Sequence, residues 1–249
     1  MNAVSVSRSL SISGTLFASL WICHCGGSDL AFEVQDPGHP KIVGGAPFSA
    51  LPAVGLLTYY GGNHCTGTLI SPRTVLTAGH CVYGFSARGM RFLLGADGAR
   101  PEAIYAAADL VPHPGYDPYG TSGDIGLVIL SADAKVSPIG RVARMDATWV
   151  GRKLVFVGYG LDDGVHQTGD GVKRAVSMAI SEIAGTQFAY EEPGRNTCSG
   201  DSGGPAFARD AKGNDLLAGV TSYGDATCTS YGVDTRVDAY LDFLNDNAQ

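Results

Sequence analysis

Positive charge is scarce in this 249-residue chain, in which 17 Lys and Arg residues stand against 24 Asp and Glu residues. Charged residues make up 16% of the sequence, compared with roughly 25% in an average globular protein. Nucleic acids and anionic membrane surfaces are bound through basic faces, so a chain of net charge −7 is not expected to bind either as its main partner. A hydrophobic fraction of 45% provides a sizeable core and excludes a disordered chain.

Long apolar runs are missing beyond the N-terminal region. Residues 10–22 are mostly apolar or small and follow a single basic residue, Arg8, but the run is too short for a comfortable membrane span. A basic start, an apolar centre and a small-residue exit predict a secretory signal peptide at residues 1–27 and a secreted, extracellular protein. The alternatives are a membrane anchor, which lacks a second apolar stretch, or a lipid-modified Cys23, which follows bulky residues.

Metal-binding spacings are absent as well. Neither Cys-x-x-Cys nor His-x-x-x-His occurs, so zinc has little support. The segment Gly95–Pro112, interpreted as a loop, has too few acidic residues for the roughly six to eight oxygen ligands of calcium. We therefore predict no metal and no cofactor. Outside the predicted signal peptide four cysteines remain, which can pair in three ways, and secretion favours disulfides. These four are Cys65, Cys81, Cys198 and Cys228.

Glycine, in contrast, is abundant, with 35 residues spread along the chain. Short β-type runs separated by Gly, Pro, Asp and Asn predict an antiparallel barrel or sandwich. Only the C-terminus has helical spacing, at Val237, Tyr240, Leu241 and Leu244. The candidate strands are Ala53–Tyr60, Thr66–Ile70, Thr74–Thr77, Met90–Leu94, Ile125–Leu130, Lys153–Val157, Val176–Ile180, Leu216–Ser222 and Val233–Val237.

One segment, Gly200–Pro205, has the features of a nucleophile site. Ser202 lies between glycines, and Gly200 lets the chain bend so that neighbouring N–H groups converge, as an oxyanion requires. Alone, the segment is as typical of a glycine-rich turn. A serine nucleophile also needs a base and an orienting carboxylate. His80 after a short strand and Asp124 before an apolar run are candidates, although each alone is also typical of a structural residue.

In combination, these segments resemble the chymotrypsin/trypsin-like serine proteases from Ile42 to the end of the chain. The candidate residues occur in the family's order, His then Asp then Ser. The matching segments are Ile42-Val43-Gly44-Gly45, Thr77-Ala78-Gly79-His80-Cys81, Asp124-Ile125-Gly126-Leu127, Gly158-Tyr159-Gly160, Gly200-Asp201-Ser202-Gly203-Gly204-Pro205 and Ser222-Tyr223-Gly224.

The resemblance implies an all-β protease domain at residues 42–249, built of two six-stranded antiparallel β-barrels with a C-terminal helix. It implies that Ser202 attacks the peptide carbonyl, that His80 transfers the proton, and that Asp124 orients His80. The backbone N–H groups of Gly200 and Ser202 would form the oxyanion hole. The disulfides that the resemblance implies are Cys65–Cys81 and Cys198–Cys228.

The resemblance also implies a zymogen. Residues 28–41 would be an activation propeptide, and cleavage after Lys41 by another protease would free the amine of Ile42. That cation would pair with Asp201, and because a buried unpaired carboxylate is costly, the pair would order the loop that holds Gly200. The alternative is that Lys41 is only a solvated charge of a linker.

The primary specificity pocket departs from the tryptic pattern. Its floor, six residues before the nucleophile, is Asn196, which cannot form an ion pair with a cationic side chain. The sequence predicts a preference for large apolar or aromatic side chains, with a polar amide or weak Lys/Arg binding as alternatives. Asp225 lies close by in the sequence; it is expected to be solvated on its loop, with partial restoration of the affinity for cations as the alternative. The residues that the resemblance places in the pocket are Asn196, Thr197, Ser222, Tyr223, Gly224 and Gly232.

Two other classes of protein share parts of this pattern. A non-catalytic binding protein can use the same fold, but such proteins usually lose a member of the triad. An esterase elbow also has the pattern Gly-x-Ser-x-Gly, but it requires a different order of residues and more helix. We therefore predict a serine endopeptidase with protein or peptide substrates, an activating protease, possible protein inhibitors, no nucleic acid partner and a monomeric state.

Overall fold

The computed structural model describes residues 42–249, so the predicted signal peptide and activation segment lie outside the described residues. No helix in this range is long and apolar enough to cross a membrane. Short 3-10 turns are found at Gly79–Cys81, Ala87–Gly89, Ala147–Trp149 and Val237–Tyr240. The strands and the helix are β1 (Ala46–Pro47), β2 (Val54–Tyr59), β3 (Gly62–Ser71), β4 (Thr74–Thr77), β5 (Met90–Leu94), β6 (Ala103–Pro112), β7 (Gly126–Leu130), β8 (Lys153–Gly158), β9 (Arg174–Ala184), β10 (Gln187–Tyr190), β11 (Pro205–Arg209), β12 (Asp215–Gly224), β13 (Gly232–Arg236) and α1 (Leu241–Asn247).

The first barrel closes in the order β2-β3-β4-β7-β6-β5, with antiparallel pairing throughout. Its first hairpin turns through Tyr60 and Gly61, whose φ angles are 48° and 87°. Two consecutive positive φ angles in a two-residue loop match the type I′ turn, whose twist suits a hairpin. Strands β4 and β7 are fully buried, so these apolar runs form the centre of the barrel.

The second barrel runs in the order β8-β9-β10-β13-β12-β11 and closes by pairing of β11 with β8, while β1 extends the sheet beside β9. Its core contains large apolar side chains, including Phe156, Met178 and Phe188. The predicted fold class, two six-stranded antiparallel barrels with a C-terminal helix, is confirmed.

Some element assignments differ from the prediction. The second half of the segment expected as a loop is β6, which pairs with β5 and β7. Its side chains are mostly half-buried or exposed, so it lacks the apolar alternation that predicts a strand. Strands β10 and β11 were not predicted either. At the C-terminus, Val237–Tyr240 is a 3-10 turn and the α-helix begins at Leu241.

Thr66, on β3 of the first barrel, is hydrogen-bonded to two segments of the second barrel. Its backbone N–H donates to the carbonyl oxygen of Ser202 at 2.8 Å. Its hydroxyl donates to the carbonyl of Gly200 at 2.9 Å and accepts the N–H of Tyr159 at 3.1 Å. The loop that contains Ser202 is therefore fixed where the two barrels meet.

Candidate active site

His80 and Asp124 are presented by neighbouring strands of the first barrel. His80 lies in the 3-10 turn after β4, and Asp124 lies just before β7, which pairs with β4. The Oδ2 atom of Asp124 lies 2.9 Å from Nδ1 of His80, and Oδ1 accepts the backbone N–H of His80 at 2.8 Å. These contacts fix the imidazole ring against the carboxylate.

The carboxylate of Asp124 is buried and well supported by hydrogen bonds. It is 4% exposed, and the hydroxyl of Ser222 donates to its Oδ2 at 2.5 Å. Burial raises the pKa of Asp124, but the hydrogen bonds and charge of His80 and the bond from Ser222 together hold this pKa below its ordinary value. An ionised carboxylate at Nδ1 keeps the imidazole proton on that nitrogen, which leaves Nε2 of His80 as an acceptor.

Ser202 lies in the turn before β11 and is half-buried. The Sγ atom of Cys81, the residue after His80, lies 3.7 Å from the carbonyl oxygen of Ser202. Among the described residues, the hydroxyl of Ser202 makes no hydrogen bond to the ring of His80. Such bonds are often long without substrate and tighten when it binds. The fold therefore brings the predicted nucleophile beside the predicted base, without a direct bond between them.

The turn before Ser202 presents two uncommitted N–H groups. Gly200 has a φ of 94°, and a Cβ atom there would lie 2.9 Å from the Cα of Gly160. Only glycine adopts this conformation readily, and the close approach excludes a side chain. In the part of the chain that the structure describes, the N–H groups of Gly200 and Ser202 donate to no protein acceptor. Both are therefore available to a ligand oxygen.

The carboxylate of Asp201 is buried without an ion pair in residues 42–249. It accepts the N–H of Gly160 at 2.8 Å and that of Cys198 at 2.9 Å. Burial raises the pKa of Asp201 to about 6, although these N–H groups and the charge of Arg174 act in the opposite direction. Ile42 is 1% exposed, with its side chain in the core of the second barrel, whose β10–β11 connection contains Asp201.

Between residues 42 and 249 there are two disulfides, Cys65–Cys81 and Cys198–Cys228. The first holds the His80 turn to β3, and the second joins the segment before Ser202 to the loop after β12. The ring of His80 and the sulfurs of Cys65 and Cys81 lie within 4.8 Å of one another. Since the two sulfurs are bonded to each other, they offer no thiolate, and this cluster is not a metal site.

Comparison with known proteins agrees with this geometry. The sequence model of the trypsin family matches residues 42–244. A chymotrypsin of Phaedon cochleariae is 32% identical over 206 residues, which cover 74% of this chain and 72% of the relative. Kallikrein-15 of Homo sapiens is 31% identical, covering 74% and 80%, and a trypsin of Saccharopolyspora erythraea is 29% identical, covering 77% and 89%. The chain belongs to the trypsin family. Membership supports a serine peptidase function.

In this member of the trypsin family, a cavity of about 270 Å³ opens beside Ser202. Two of the six predicted pocket residues do not line it, because Asn196 is 1% exposed and lies behind the wall, and Gly232 is also buried. A Cβ atom on Gly232 would lie 2.5 Å from the hydroxyl oxygen of Tyr190. The predicted residues that do line the cavity are Thr197, Ser222, Tyr223 and Gly224.

The side-chain amide of Asn196, the predicted floor residue of this trypsin-family pocket, is hydrogen-bonded to the loop that lines the cavity. Asn196 donates through Nδ2 to the carbonyl of Tyr231 at 3.0 Å and to Oδ1 of Asp225 at 3.3 Å. Asp225 lines the cavity and also accepts the N–H groups of Thr229 and Ser230. Although burial raises the pKa of Asp225, such bonds hold it well below its ordinary value. Asp225, expected to be solvated, is thus built into the loop.

Two buried residues behind the pocket were not predicted. The hydroxyl of Tyr190 lies 2.6 Å from Oγ1 of Thr197 and donates to Oδ1 of Asp234 at 3.1 Å. Tyr190 and Asp234 are each 0% exposed. An acid inside the predicted strand Val233–Val237 was the available signal, since Asp is rarely found within a strand.

Proposed function

We propose that the chain is a secreted serine endopeptidase that hydrolyses peptide bonds through Ser202, His80 and Asp124. The observation that carries the proposal is the hydrogen-bonded row Ser222–Asp124–His80 beside the loop of Ser202. This row supplies a base with a fixed tautomer close to the half-buried Ser202. Family membership supplies the reaction class.

In the first half of the reaction, the Oγ atom of Ser202 bonds to the peptide carbonyl carbon while Nε2 of His80 takes the hydroxyl proton. The ionised Asp124 stabilises the resulting imidazolium. The negative oxygen of the tetrahedral intermediate accepts hydrogen bonds from the N–H groups of Gly200 and Ser202. The carbon–nitrogen bond then breaks, and His80 gives its proton to the leaving amine, which leaves an acyl-enzyme.

In the second half, water replaces the amine. His80 takes a proton from the water as its oxygen bonds to the acyl carbon, and the same oxyanion donors are used again. When the intermediate collapses, the bond to the Oγ atom of Ser202 breaks and His80 returns the proton to that oxygen. Enzyme and carboxylic acid product are then released.

We further propose that cleavage after Lys41 activates a zymogen. The buried carboxylate of Asp201 supports this because it has two N–H partners and no cation in the described part of the chain. A free ammonium at Ile42 would supply the missing charge. Because Asp201 lies between Gly200 and Ser202, an ion pair there would act directly on both oxyanion donors. The two disulfides fit the proposed secretion.

For primary specificity, we propose a pocket without an ion pair at its floor. Asn196 is neutral, and its amide nitrogen already donates hydrogen bonds to Asp225 and to the carbonyl of Tyr231. Large side chains, including aromatic ones, fit a cavity of about 270 Å³ that is walled on one side by Gly224. The specificity is therefore expected to differ from that of a protease with an acidic floor.

The test is active-site labelling with a fluorophosphonate before and after cleavage at Lys41, together with hydrolysis of a peptide library. We expect labelling and hydrolysis to appear only once Ile42 is the N-terminal residue, and to be lost in Ser202→Ala. The matched control is Ser131→Ala, because Ser131 is an exposed serine beyond β7 and its loss should change neither readout. If the cleaved chain neither labels nor hydrolyses any peptide, the peptidase proposal is wrong and a binding protein becomes the better interpretation.

A further inference from the structure

We infer that Asp234, buried behind the primary pocket, is a positioning residue that makes the pocket select side chains ending in a hydrogen-bond donor. Among side chains of similar shape, the enzyme would prefer tyrosine to phenylalanine, and lysine to norleucine. This inference rests on the proposed peptidase function and specifies the substrate class of the same site.

A chain of hydroxyl groups connects Asp234 to the cavity. Oδ1 of Asp234 is 3.1 Å from the hydroxyl of Tyr190, which is 2.6 Å from Oγ1 of Thr197. Thr197 lines the cavity, whereas the other two residues are fully buried. The carboxylate therefore reaches the pocket only through two hydroxyl groups.

When Asp234 is ionised, its carboxylate sets the direction of this chain. A carboxylate can only accept, so the single proton of the Tyr190 hydroxyl points to Asp234. The oxygen of Tyr190 must then accept the proton of Thr197. With its own proton committed, the hydroxyl of Thr197 can offer only lone pairs to the pocket. A substrate group that donates would satisfy these lone pairs, whereas an apolar end would leave them unmatched.

A second acceptor lies close to the first. Oδ1 of Asn196 is buried and has no hydrogen-bond partner among the described residues, because its amide nitrogen makes the bonds to Asp225 and Tyr231. Among the described residues that line the cavity there is no Lys, Arg or His, and the one charged residue is Asp225. The acceptor of Thr197 and the negative charge of Asp225, both at the cavity, thus disfavour a side chain that ends in an acceptor.

Glycines keep the space that this arrangement needs. A Cβ atom on Gly219 would lie 2.6 Å from Oδ2 of Asp234, and one on Gly232 would lie 2.5 Å from the hydroxyl oxygen of Tyr190. Gly219 lies on β12, which pairs with β13, and Gly232 lies on β13 together with Asp234. Glycine at both positions therefore leaves room for the side chains of Asp234 and Tyr190.

Protonation of Asp234 would release the direction of the chain. A protonated carboxyl can donate to Tyr190, which can then donate to Thr197, whose own proton becomes free to face the pocket. The titratable group that faces Asp234 from β10 is Tyr190. The charge of Asp201 also acts on Tyr190. From β12, Asp234 is faced by Gly219 and by Thr221, which does not titrate. Burial raises the pKa of Asp234 well above its ordinary value, so this carboxyl takes up a proton at a higher pH than an exposed aspartate does.

The first measurement uses the wild-type enzyme cleaved after Lys41. The ratio of kcat/KM for a tyrosine peptide to that for its phenylalanine twin is measured across pH, and likewise for lysine and norleucine. We expect ratios of about tenfold at a pH where Asp234 is ionised, and ratios that decrease as the pH falls and Asp234 takes up a proton. A pH effect on the catalytic groups changes the hydrolysis of both peptides of a pair equally, so it cancels in the ratio. The tyrosine pair is the cleaner one, because Asp225 attracts lysine independently.

Variants separate positioning from folding. Tyr190→Phe interrupts the chain and should reduce the ratio of kcat/KM for the tyrosine and phenylalanine peptides to about onefold. Asp234→Asn cannot ionise, so the ratio should become independent of pH. Thr197→Val removes the hydroxyl at the pocket end of the chain and should also reduce the ratio to about onefold. It tests the inference even if Tyr190→Phe or Asp234→Asn does not fold. Tyr159→Phe is the matched control, because this buried hydroxyl donates to backbone carbonyls elsewhere and its loss should leave the ratio unchanged.

The outcomes separate a failure of this inference from a failure of the proposed peptidase function. Hydrolysis of the phenylalanine and norleucine peptides as efficiently as their twins would overturn the inference and leave the peptidase proposal intact. A ratio that survives in both Tyr190→Phe and Thr197→Val would also overturn it. Absence of hydrolysis of every peptide by the cleaved wild type would instead refute the proposed function.

Discussion

The buried carboxylate of Asp201 allows the activation proposal to be tested through stability. In the uncleaved chain, burial raises the pKa of Asp201 from 3.8 to about 6. Asp201→Asn removes the titrating group. Its amide also replaces one acceptor oxygen, so that one of the two N–H groups of Gly160 and Cys198 loses its acceptor. That loss costs about 1–3 kcal/mol and is the same at every pH.

The pH-dependent part has a defined sign and size. Between pH 3.8 and about 6, the folded chain binds a proton at Asp201 that the unfolded chain has already lost. The free energy of unfolding therefore falls as the pH rises through this window, and the penalty is complete above it. At 1.36 kcal/mol per pKa unit, the shift corresponds to about 3 kcal/mol. After cleavage, an ammonium at Ile42 would lower the pKa of Asp201, and stability would instead be lost as the pH falls.

The assay is urea unfolding at about pH 4 and about pH 7.5, with Ser202→Ala as the background to prevent self-cleavage. In the uncleaved chain, Asp201→Asn should gain about 2 kcal/mol relative to its parent between the two pH values, because a small part of the penalty is already present at about pH 4. In the chain cleaved after Lys41 the change should have the opposite sign. An equal difference at both pH values in the uncleaved chain would refute the unpaired carboxylate. The same sign after cleavage would refute the pair with Ile42.

Three further changes test the site and the fold around it. Ser222→Ala removes a hydrogen bond to the ionised Asp124 and should lower kcat/KM about tenfold, and an unchanged value in steady-state kinetics would contradict this. Gly203→Ala places a Cβ atom 1.9 Å from Oγ1 of Thr77 at a φ of 78° and should lower the free energy of unfolding by at least about 3 kcal/mol, measured by thermal melting. Lys173→Met removes a buried ammonium whose pKa burial lowers from 10.5 to about 8. Burial of the ammonium thus costs the folded state about 3 kcal/mol at neutral pH, and this cost disappears above pH 10.5. The variant should therefore be more stable than the parent at about pH 7 but not at about pH 11. Urea unfolding at the two pH values measures this difference.

The sequence predicted those parts of the site in which the chemistry is local. Ser202 with its flanking glycines, and His80 beside a cysteine, are recognisable because backbone freedom and residue type coincide within a few positions. The two-barrel fold followed from resemblance, whereas the apolar runs alone allowed a sandwich as well. Strand β6 could not be predicted, because its alanines and exposed side chains are held by pairing with neighbours rather than by burial.

The polar network behind the pocket could not be predicted either. It depends on register, since Asp234 pairs with Phe188 on one side and with Thr221 on the other. That register brings the hydroxyl of Tyr190, 44 residues away in the sequence, to the carboxylate. No local pattern contains this information. The neutral Asn196 was visible in the sequence, but the direction of hydrogen bonds around it was not.

The contacts of Thr66 indicate why activation would act through Asp201. In the uncleaved chain, Thr66 already holds the carbonyl groups of Gly200 and Ser202, so one side of the oxyanion turn is fixed before any cleavage. Between these two residues, Asp201 is held only by backbone N–H groups, and its burial as an ion is unfavourable at neutral pH. The carboxylate is therefore the weakest point of an otherwise supported turn. A cation that arrives from Ile42 removes that weakness without moving the side that Thr66 already holds.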